Sequence, residues 1–377
     1  MPAKPLGSTR RAPVAAAVQP AAEPRRSDAS GLRDEILAYG LDAERALTLA
    51  NALEAEDLLL DAVDALVVAN RLRPGAPIER RLVRLRRDAF RQLDHTFAPQ
   101  AWPHFVLDSQ PRPEGPLEIA ASEFDHAALR TGVLHHGHLL VRGLVPAGRV
   151  ARLRDAIDRA YAAQDAAAGA ATSGASPWYD PLEGIPEGDL HRQVARTTLG
   201  VLAADSPRAL FEFLETVHEL GLDAMIAAYF GERPALSAKK CTLRRVDGQV
   251  RPAGWHQDGA FLGQGIRSIN AWTALSRCGR DAPGLELIPL RLDRLAPRLE
   301  DGGPFHWTVP PEVITREFPG VSVWRPEFEP GDVLFFDHWS LHRTASSERK
   351  PETRYAIESW FFAPSVYPGD APELLVV

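Results

Sequence analysis

Two short stretches of the chain carry residue types that bind metal ions. The first is Trp255-His256-Gln257-Asp258, and the second leads from Asp337 through His338 to His342. On an extended strand residues i and i+2 project from the same face, so His256 and Asp258 are expected to converge on one point. Two imidazoles and one carboxylate form the facial triad that holds non-haem Fe(II) and leaves positions open. The candidate metal ligands are therefore His256, Asp258 and His342.

The distal histidine has a rival. His338 lies four residues before His342. It closely follows the apolar run Val333-Leu334-Phe335-Phe336, with Asp337 between them. Residue type alone does not separate these two histidines. If His342 is the ligand, His338 is expected beside the site or at its rim.

Arg354 is the candidate anion-binding residue, because it opens the hydrophobic strand Arg354–Phe362 shortly after His342. A guanidinium can hold a carboxylate through two parallel hydrogen bonds. A bare charge on such a strand is costly unless it meets a carboxylate. The alternative is a local ion pair with Glu358, on the same strand face, or with Asp332.

Two further polar residues are expected near that anion. Thr344 lies two residues after His342, hence on the same face, and its hydroxyl is able to share a carboxylate. Lysine is scarce in this chain, yet Lys239 and Lys240 stand side by side shortly before His256. Lys240 alternates with Thr242, which predicts a second anion contact on that strand face.

Five aromatic residues are candidates for the walls of a pocket. Trp178 and Tyr179 stand in a long loop rich in Ala, Gly and Pro, which is typical of functional loops. Single aromatic residues more often pack in a core than touch a ligand. We expect substrate contacts from Trp178, Tyr179, Trp255 and Phe261, and Trp272 is the fifth candidate.

The elements that position these residues change in character along the chain. Helical spacing dominates up to Phe230, and alternation typical of strands begins after Pro234. Short strands separated by Gly and Pro turns predict an all-β sandwich or jelly-roll barrel, with helices packed on one outer face. The predicted strands run from Leu236 to Arg245 and over Arg267–Ser276, Gly284–Pro289, Val333–Asp337, Ser340–Thr344 and Arg354–Phe362.

The front of the chain predicts separate modules. Residues 1–30 are dominated by Ala, Pro and Arg and are expected to be a disordered tail. Residues 31–95 carry two apolar stripes at helical spacing, which predict a helical hairpin used as a cap, for protein contact or for dimerisation. Residues 96–116 form a proline-rich linker, and residues 117–377 the large domain. The phrase Ala69-Asn70-Arg71-Leu72-Arg73-Pro74 resembles the end of a tetratricopeptide repeat, without the three repeats that an array needs.

Composition excludes several functions. The 377 residues are 45% hydrophobic and carry 43 basic against 50 acidic residues, a net charge of −7. Binding to a phosphate backbone is not expected of such a surface. Two cysteines are too few for a disulfide framework and fit a reducing compartment. Without an apolar run long enough to cross a membrane, a cytoplasmic protein is expected that binds no nucleic acid and no membrane.

The segment from about Leu134 to Pro364 resembles the phytanoyl-CoA dioxygenase family of Fe(II)/2-oxoglutarate oxygenases. The pieces that carry the resemblance follow one another in the family's order: Leu144-Val145-Pro146 with Arg149–Tyr161, Trp255-His256-Gln257-Asp258, Trp272, Ala282-Pro283-Gly284-Leu285, Gly331–Phe336, His342 and Arg354. The resemblance implies a double-stranded β-helix, a jelly-roll fold that is mainly β with flanking helices. It further implies Fe(II) on His256, Asp258 and His342 rather than His338.

The same resemblance implies that 2-oxoglutarate is held by Arg354 and bordered by Thr344, Trp272 and a residue near Lys240. The implied activity uses Fe(II), 2-oxoglutarate and O₂ to hydroxylate an unactivated C–H bond of a small-molecule, lipid or carrier-bound substrate, with release of succinate and CO₂. Halogenating relatives lack the carboxylate that Asp258 supplies, so its presence favours hydroxylation; desaturation and ring chemistry stay open. The alternative is an inactive barrel that acts as a scaffold through its N-terminal helices.

Overall fold

The computed structural model describes residues 40, 42–93, 115–169, 176–186, 188–197, 200–247, 254–298, 307–345, 350–367 and 374–377. The tail predicted for residues 1–30 lies outside these ranges. So does the linker predicted for residues 96–116, apart from its last two positions. The boundaries of these two segments stay predictions.

Helices occupy much of the first part of the chain. The described ranges contain α1 Ala43–Ala55, α2 Leu59–Leu72, α3 Ala76–Ala89, α4 His126–Thr131, α5 Ala147–Gly169, α6 Leu190–Thr197, α7 Pro207–Glu219, α8 Leu222–Phe230, α9 Gly259–Leu262 and α10 Pro311–Glu317. Short 3₁₀ turns lie at Phe90–Gln92, Ala121–Glu123, Ala203–Asp205 and Pro364–Val366, and a π-helical turn at Gly132–His136. None of the described helices is both long and apolar enough to cross a bilayer.

Eleven strands are found in the same ranges. They are β1 Glu118–Ala120, β2 His138–Arg142, β3 Gly200–Leu202, β4 Ala235–Ser237, β5 Thr242–Val246, β6 Ser268–Ala274, β7 Gly284–Leu287, β8 Val333–Phe336, β9 His342–Ala345, β10 Arg354–Phe362 and β11 Leu374–Val376. Nine of them form one sheet in the order β1-β2-β8-β6-β10-β4-β11, with β5 also paired to β10 and β3 paired to β5. The long strand β10 therefore lies in the middle of the sheet.

A smaller second layer faces this sheet. Its core is the antiparallel pair β7 and β9. Isolated bridges extend it on both sides, joining His256 to His342 and Leu287 to Trp324. Rings reach across the gap between the layers: Phe336 lies 4.8 Å from the ring of His342, and Trp272 lies 4.7 Å from that of Phe328. Two layers joined in this way form a double-stranded β-helix, so the predicted fold class is confirmed.

The two faces of the large sheet pack against different parts of the protein. The outer face, with Val141, Phe335 and Ile357, packs in one apolar cluster with residues of α4, α5, α7 and α8. The inner face alternates with it and carries residues such as Trp272 and Trp360. Burial of the outer face under helices stabilises the sheet, and the inner face is left for the site.

The N-terminal segment forms three helices and packs onto the rest of the chain. Most of α2 is buried. Arg71 on α2 pairs with Glu215 on α7, and Arg86 on α3 donates to the backbone oxygen of Val376, at 2.6 Å. Apolar residues of these helices pack against one another and against the rest of the chain. Protein contact or dimerisation through these helices stays a prediction.

One predicted strand is two strands in the structure. The stretch from Leu236 to Arg245 contains β4 and β5 with a turn at residues 238–240 between them. Lys240 therefore lies in a turn and does not alternate with Thr242 along a continuous strand. Alternation indicates a face only while the strand continues, and nothing in the spacing marked this turn.

Candidate active site

Three side chains converge at the start of β9, where His256 is bridged to His342. Ligand atoms of His256, Asp258 and His342 all lie within 4.8 Å of one another. Among the described residues, these three form the cluster of His, Cys, Asp or Glu side chains that could hold a metal ion. His256 and His342 exchange two backbone hydrogen bonds of 3.0 Å each, and their rings lie 4.4 Å apart. Asp258 follows the extended segment and directly precedes α9. The predicted ligands thus meet, although Asp258 lies at a turn and not on a strand.

Both imidazoles are turned in the same way. Nδ1 of His256 donates to the backbone oxygen of Gly254 at 2.9 Å, and Nδ1 of His342 donates to that of Ser340 at 3.0 Å. A ring that donates from Nδ1 presents the lone pair of Nε2, which is the arrangement of metal-binding histidines. Burial, and then the charge of His256, lower the pKa of His342 to about 4. At neutral pH His342 is therefore neutral, the form that binds metal.

The two carboxylate oxygens of Asp258 have different neighbours. Its Oδ2 lies 3.5 Å from Nε2 of His342, and its Oδ1 accepts a hydrogen bond of 2.8 Å from Nζ of Lys240. Burial alone would raise the pKa of Asp258, but Lys240 and the two imidazoles hold it below the ordinary value. The result is an ionised carboxylate with one oxygen occupied and the other directed at the histidines, a donor set that fits Fe(II).

Arg354 is a buried cation without a hydrogen-bond partner for two of its nitrogens. Its side chain is 3% exposed, and Nε and Nη1 have no partner within the part of the chain that the structure describes. Burial, and then the like charge of Arg244, lower the pKa of Arg354 to about 10. Such a group is costly unless an anion satisfies it. Arg354 therefore fits the carboxylate of a ligand.

The local ion pairs considered above as alternatives for Arg354 are made with other residues. Glu358 accepts a hydrogen bond of 2.7 Å from Arg244. Asp332 accepts one of 2.7 Å from Arg142 and another of 2.8 Å from the backbone of Gly143. Both carboxylates that were candidates to neutralise Arg354 are thus engaged elsewhere.

The other residues predicted to contact the co-substrate are Trp272, Thr344 and Lys240. The guanidinium carbon of Arg354 lies 6.0 Å from the ring centre of Trp272, so these two residues are neighbours. Thr344 is half-buried on β9, on the same face as His342. Lys240 contacts Asp258, as described, so the structure places its ammonium at the metal group.

Aromatic residues border the metal group on the solvent side. Phe261, on α9, is 38% exposed, and Nζ of Lys240 lies 4.7 Å from its ring centre. The ring of Trp307 lies 5.3 Å from that of Phe261. Trp307 was missed by the sequence argument because no motif surrounds it, and only its aromatic character was a signal.

The remaining predicted substrate residues have other surroundings. Trp178 lies between Arg159 of α5 and Arg208 of α7, at 5.2 and 5.5 Å from its ring centre. Tyr179 is buried in the helix-covered outer cluster. Trp255 packs in a third apolar cluster, on the strand position next to His256 and hence on the opposite face. These contacts include none of the three metal-group residues, and a substrate contact by these residues stays a prediction.

Two residues hold the segments that carry the ligands. His338 lies outside the metal group, and its Nδ1 is 3.0 Å from Oγ of Ser268. The buried amide of Gln257 donates to the backbone oxygens of Trp339 and Arg294 at 2.7 and 3.0 Å and accepts from the backbone of Ala296 at 2.6 Å. Gln257 thereby ties His256-Gln257-Asp258 to the segment before His342, a role that its sequence position did not indicate.

A double-stranded β-helix with a His/Asp/His group and a buried arginine defines a class: the Fe(II)/2-oxoglutarate oxygenases. A comparison with protein families agrees with this class, because the model of phytanoyl-CoA dioxygenase (PhyH) matches residues 134–350, more than half of the chain. The chain belongs to the phytanoyl-CoA dioxygenase family. The predicted enzyme class, a dioxygenase that uses Fe(II), 2-oxoglutarate and O₂, is thereby confirmed.

Solved structures similar to this chain include three of low sequence identity. The carbocyclase SnoK from nogalamycin biosynthesis is 14% identical, with 70% of this chain and all of that chain covered and a TM-score of 0.43. EctD from S. alaskensis is 18% identical over 71% and 83% of the two chains, with a TM-score of 0.41. AviO1 from Streptomyces viridochromogenes is 17% identical over 65% and 97%, also with a TM-score of 0.41. The comparison with curated proteins gives no match.

Proposed function

We propose that this dioxygenase is a hydroxylase of an unactivated C–H bond in a small-molecule, lipid or carrier-bound substrate. One atom of O₂ enters the substrate as a hydroxyl group and the other enters succinate, while 2-oxoglutarate loses CO₂. The observation that carries the proposal is the buried, ionised carboxylate of Asp258 beside the two histidines. It occupies the position at which halogenating relatives lack a carboxylate and admit chloride.

In this proposal His256, Asp258 and His342 hold Fe(II) on one face. With 2-oxoglutarate beside it, the iron supplies the activation of O₂ and the oxidation of the C–H bond. The protein orients the ligands through the Nδ1 hydrogen bonds to the backbone oxygens of Gly254 and Ser340. Lys240 holds Oδ1 of Asp258, so a single carboxylate oxygen is offered to the metal.

Arg354 binds the distal carboxylate of 2-oxoglutarate through Nε and Nη1. Trp272 forms a wall beside it, and the Thr344 hydroxyl lies on the face of β9 that also presents His342. The guanidinium is buried, so little water competes with the carboxylate, which strengthens the charge pair.

The exposed Phe261 and its neighbour Trp307 form the entrance to the metal group in this proposal. Two rings at this position favour a substrate with an apolar part that packs against them. Phe261 contacts Lys240, which binds Asp258, so an apolar part packed against Phe261 would lie close to the metal group.

The proposal is tested by incubating the purified protein in air with Fe(II), ascorbate and 2-oxoglutarate and measuring succinate. We expect slow succinate formation that a cell extract accelerates, and mass spectrometry of that extract is expected to show a product heavier by one oxygen atom. The His256→Ala variant is the matched control and is expected to form none. A product that lacks two hydrogens, or that carries chlorine, would contradict hydroxylation. Absence of succinate from the iron-loaded protein, with or without extract, would contradict the enzyme itself.

A further inference from the structure

The interior of the barrel holds a second buried polar group without a partner. Asn270, on β6, is 1% exposed. Its Oδ1 has no hydrogen-bond partner in the part of the chain that the structure describes. Buried side-chain amides are nearly always hydrogen-bonded in native proteins, so an exception calls for a missing partner. Asn270 shares the inner face of the large sheet with Arg354, whose Nε and Nη1 also lack a partner in the described structure.

The strand position of Asn270 relates it to Arg354 through Trp272. Residues i and i+2 of a strand share a face, so Asn270 lies beside Trp272 on the inner face of the large sheet. Trp272 is the residue whose ring centre is 6.0 Å from the guanidinium carbon of Arg354. Asn270 is therefore one strand repeat from the neighbour of the anion-binding group.

The strands on either side connect Asn270 to the metal end. It lies opposite Phe336 on β8 and opposite Trp360 on β10. The ring of Phe336 is 4.8 Å from that of His342, and the ring of Trp360 is 5.7 Å from Nζ of Lys240, which binds Asp258. Asn270 thus lies on the inner face of the large sheet, level with the two rings that border the metal group.

We propose that Asn270 positions 2-oxoglutarate by donating a hydrogen bond from its side-chain NH₂ group to an oxygen of this diacid. The inference rests on the proposed function. A half-turn about the last side-chain bond exchanges the amide oxygen and nitrogen, so the point at which the orphaned oxygen lies can equally hold the donor. Doubly ionised 2-oxoglutarate offers only acceptors, and it is the ligand that spans the distance between the metal and Arg354.

The test is an anaerobic titration of the Fe(II)-loaded protein with 2-oxoglutarate, followed by the visible absorption band of the Fe(II)–2-oxoglutarate complex. Two variants of nearly equal volume, Asn270→Asp and Asn270→Leu, are compared with Thr273→Val. Thr273 is buried on the same strand but faces the other side of the sheet. We expect the Leu variant to bind 2-oxoglutarate about tenfold more weakly, as for loss of one hydrogen bond to a charged group, and the Asp variant to bind more weakly still. Thr273→Val is expected to bind like the parent protein.

A thermal unfolding measurement without iron or 2-oxoglutarate separates a ligand-binding role from a structural one. Because Asn270→Leu removes a buried polar group that lacks a partner, we expect its melting temperature to equal or exceed that of the parent protein. A lower melting temperature together with an unchanged affinity for 2-oxoglutarate would overturn the inference. If the Asp variant fails to fold, the Leu variant decides. Failure of the parent protein to develop the band would overturn the proposed function instead.

Discussion

Replacement of Arg354 by lysine tests the co-substrate site most directly. The guanidinium is buried, and two of its N–H groups point into the barrel without a partner in the described structure. Lysine keeps the positive charge but is a single point donor, so one of two charge-assisted hydrogen bonds to a carboxylate is lost. Such a bond contributes about 1.5–3 kcal/mol, which corresponds to an increase of about 10- to 150-fold in the dissociation constant of 2-oxoglutarate.

The assay is the anaerobic absorption titration, run beside a metal-binding titration and a thermal melt. Arg245→Lys is the matched control, because Arg245 is the neighbour of Arg244 on β5 and is half-exposed on the other face, where it pairs with Asp158 at 3.0 Å. We expect Arg354→Lys to bind Fe(II) normally and 2-oxoglutarate weakly, whereas Arg245→Lys binds both normally. An unchanged affinity for 2-oxoglutarate in Arg354→Lys would refute the reasoning. A lower melting temperature with unchanged affinity would show that Arg354 is part of a structural ion pair.

Three further predictions concern the metal group. His342→Ala is expected to abolish Fe(II) binding, whereas His338→Ala retains it; isothermal titration with Fe(II) under nitrogen checks both, and the reverse result would transfer the ligand role to His338. Lys240→Met is expected to weaken metal binding about 10- to 100-fold, because an outer hydrogen bond to the Asp258 carboxylate is lost; Mn(II) titration measures this, and equal affinities in variant and parent would contradict it. In Gln257→Leu, the backbone groups of Arg294, Trp339 and Ala296 lose their side-chain partner. We expect the free energy of unfolding to fall by about 1–3 kcal/mol for each group left without a hydrogen bond. A denaturant curve that coincides with that of the parent would exclude this role.

The residues proposed to bind metal and anion could be picked out from the sequence because each carries its chemistry in its type. His256, Asp258 and His342 stand in two motifs with the donor set of an Fe(II) site, and Arg354 is a charge in an apolar strand. The structure brings the three ligands together and leaves Arg354 without a carboxylate partner among the described residues. The proposed roles rest on residue type and on order along the chain, which a sequence contains in full.

The contacts that depend on where a strand ends were not predictable. Alternation placed Lys240 on a strand face with Thr242, but a turn at residues 238–240 ends β4 and directs the ammonium to Asp258. Likewise, the sequence did not indicate that Trp255 packs in the third apolar cluster. Turn positions and loop paths are decided by tertiary packing, and local spacing does not report it.

The order of strands in the large sheet has a consequence for how the chain folds as it is synthesised. β10 is hydrogen-bonded to β4, β5 and β6, yet it follows all three along the chain. On a ribosome that adds about 5–20 residues per second, these earlier strands emerge with unpaired edges and wait for their common neighbour.

The metal site is subject to the same delay, because His256 is bridged to His342, which is made long after it. A nascent chain stopped before β9 holds only two of the three ligands and no Arg354. Release of a chain truncated before β9 is therefore expected to give an aggregation-prone fragment, with open strand edges and too few ligands for iron to stabilise it.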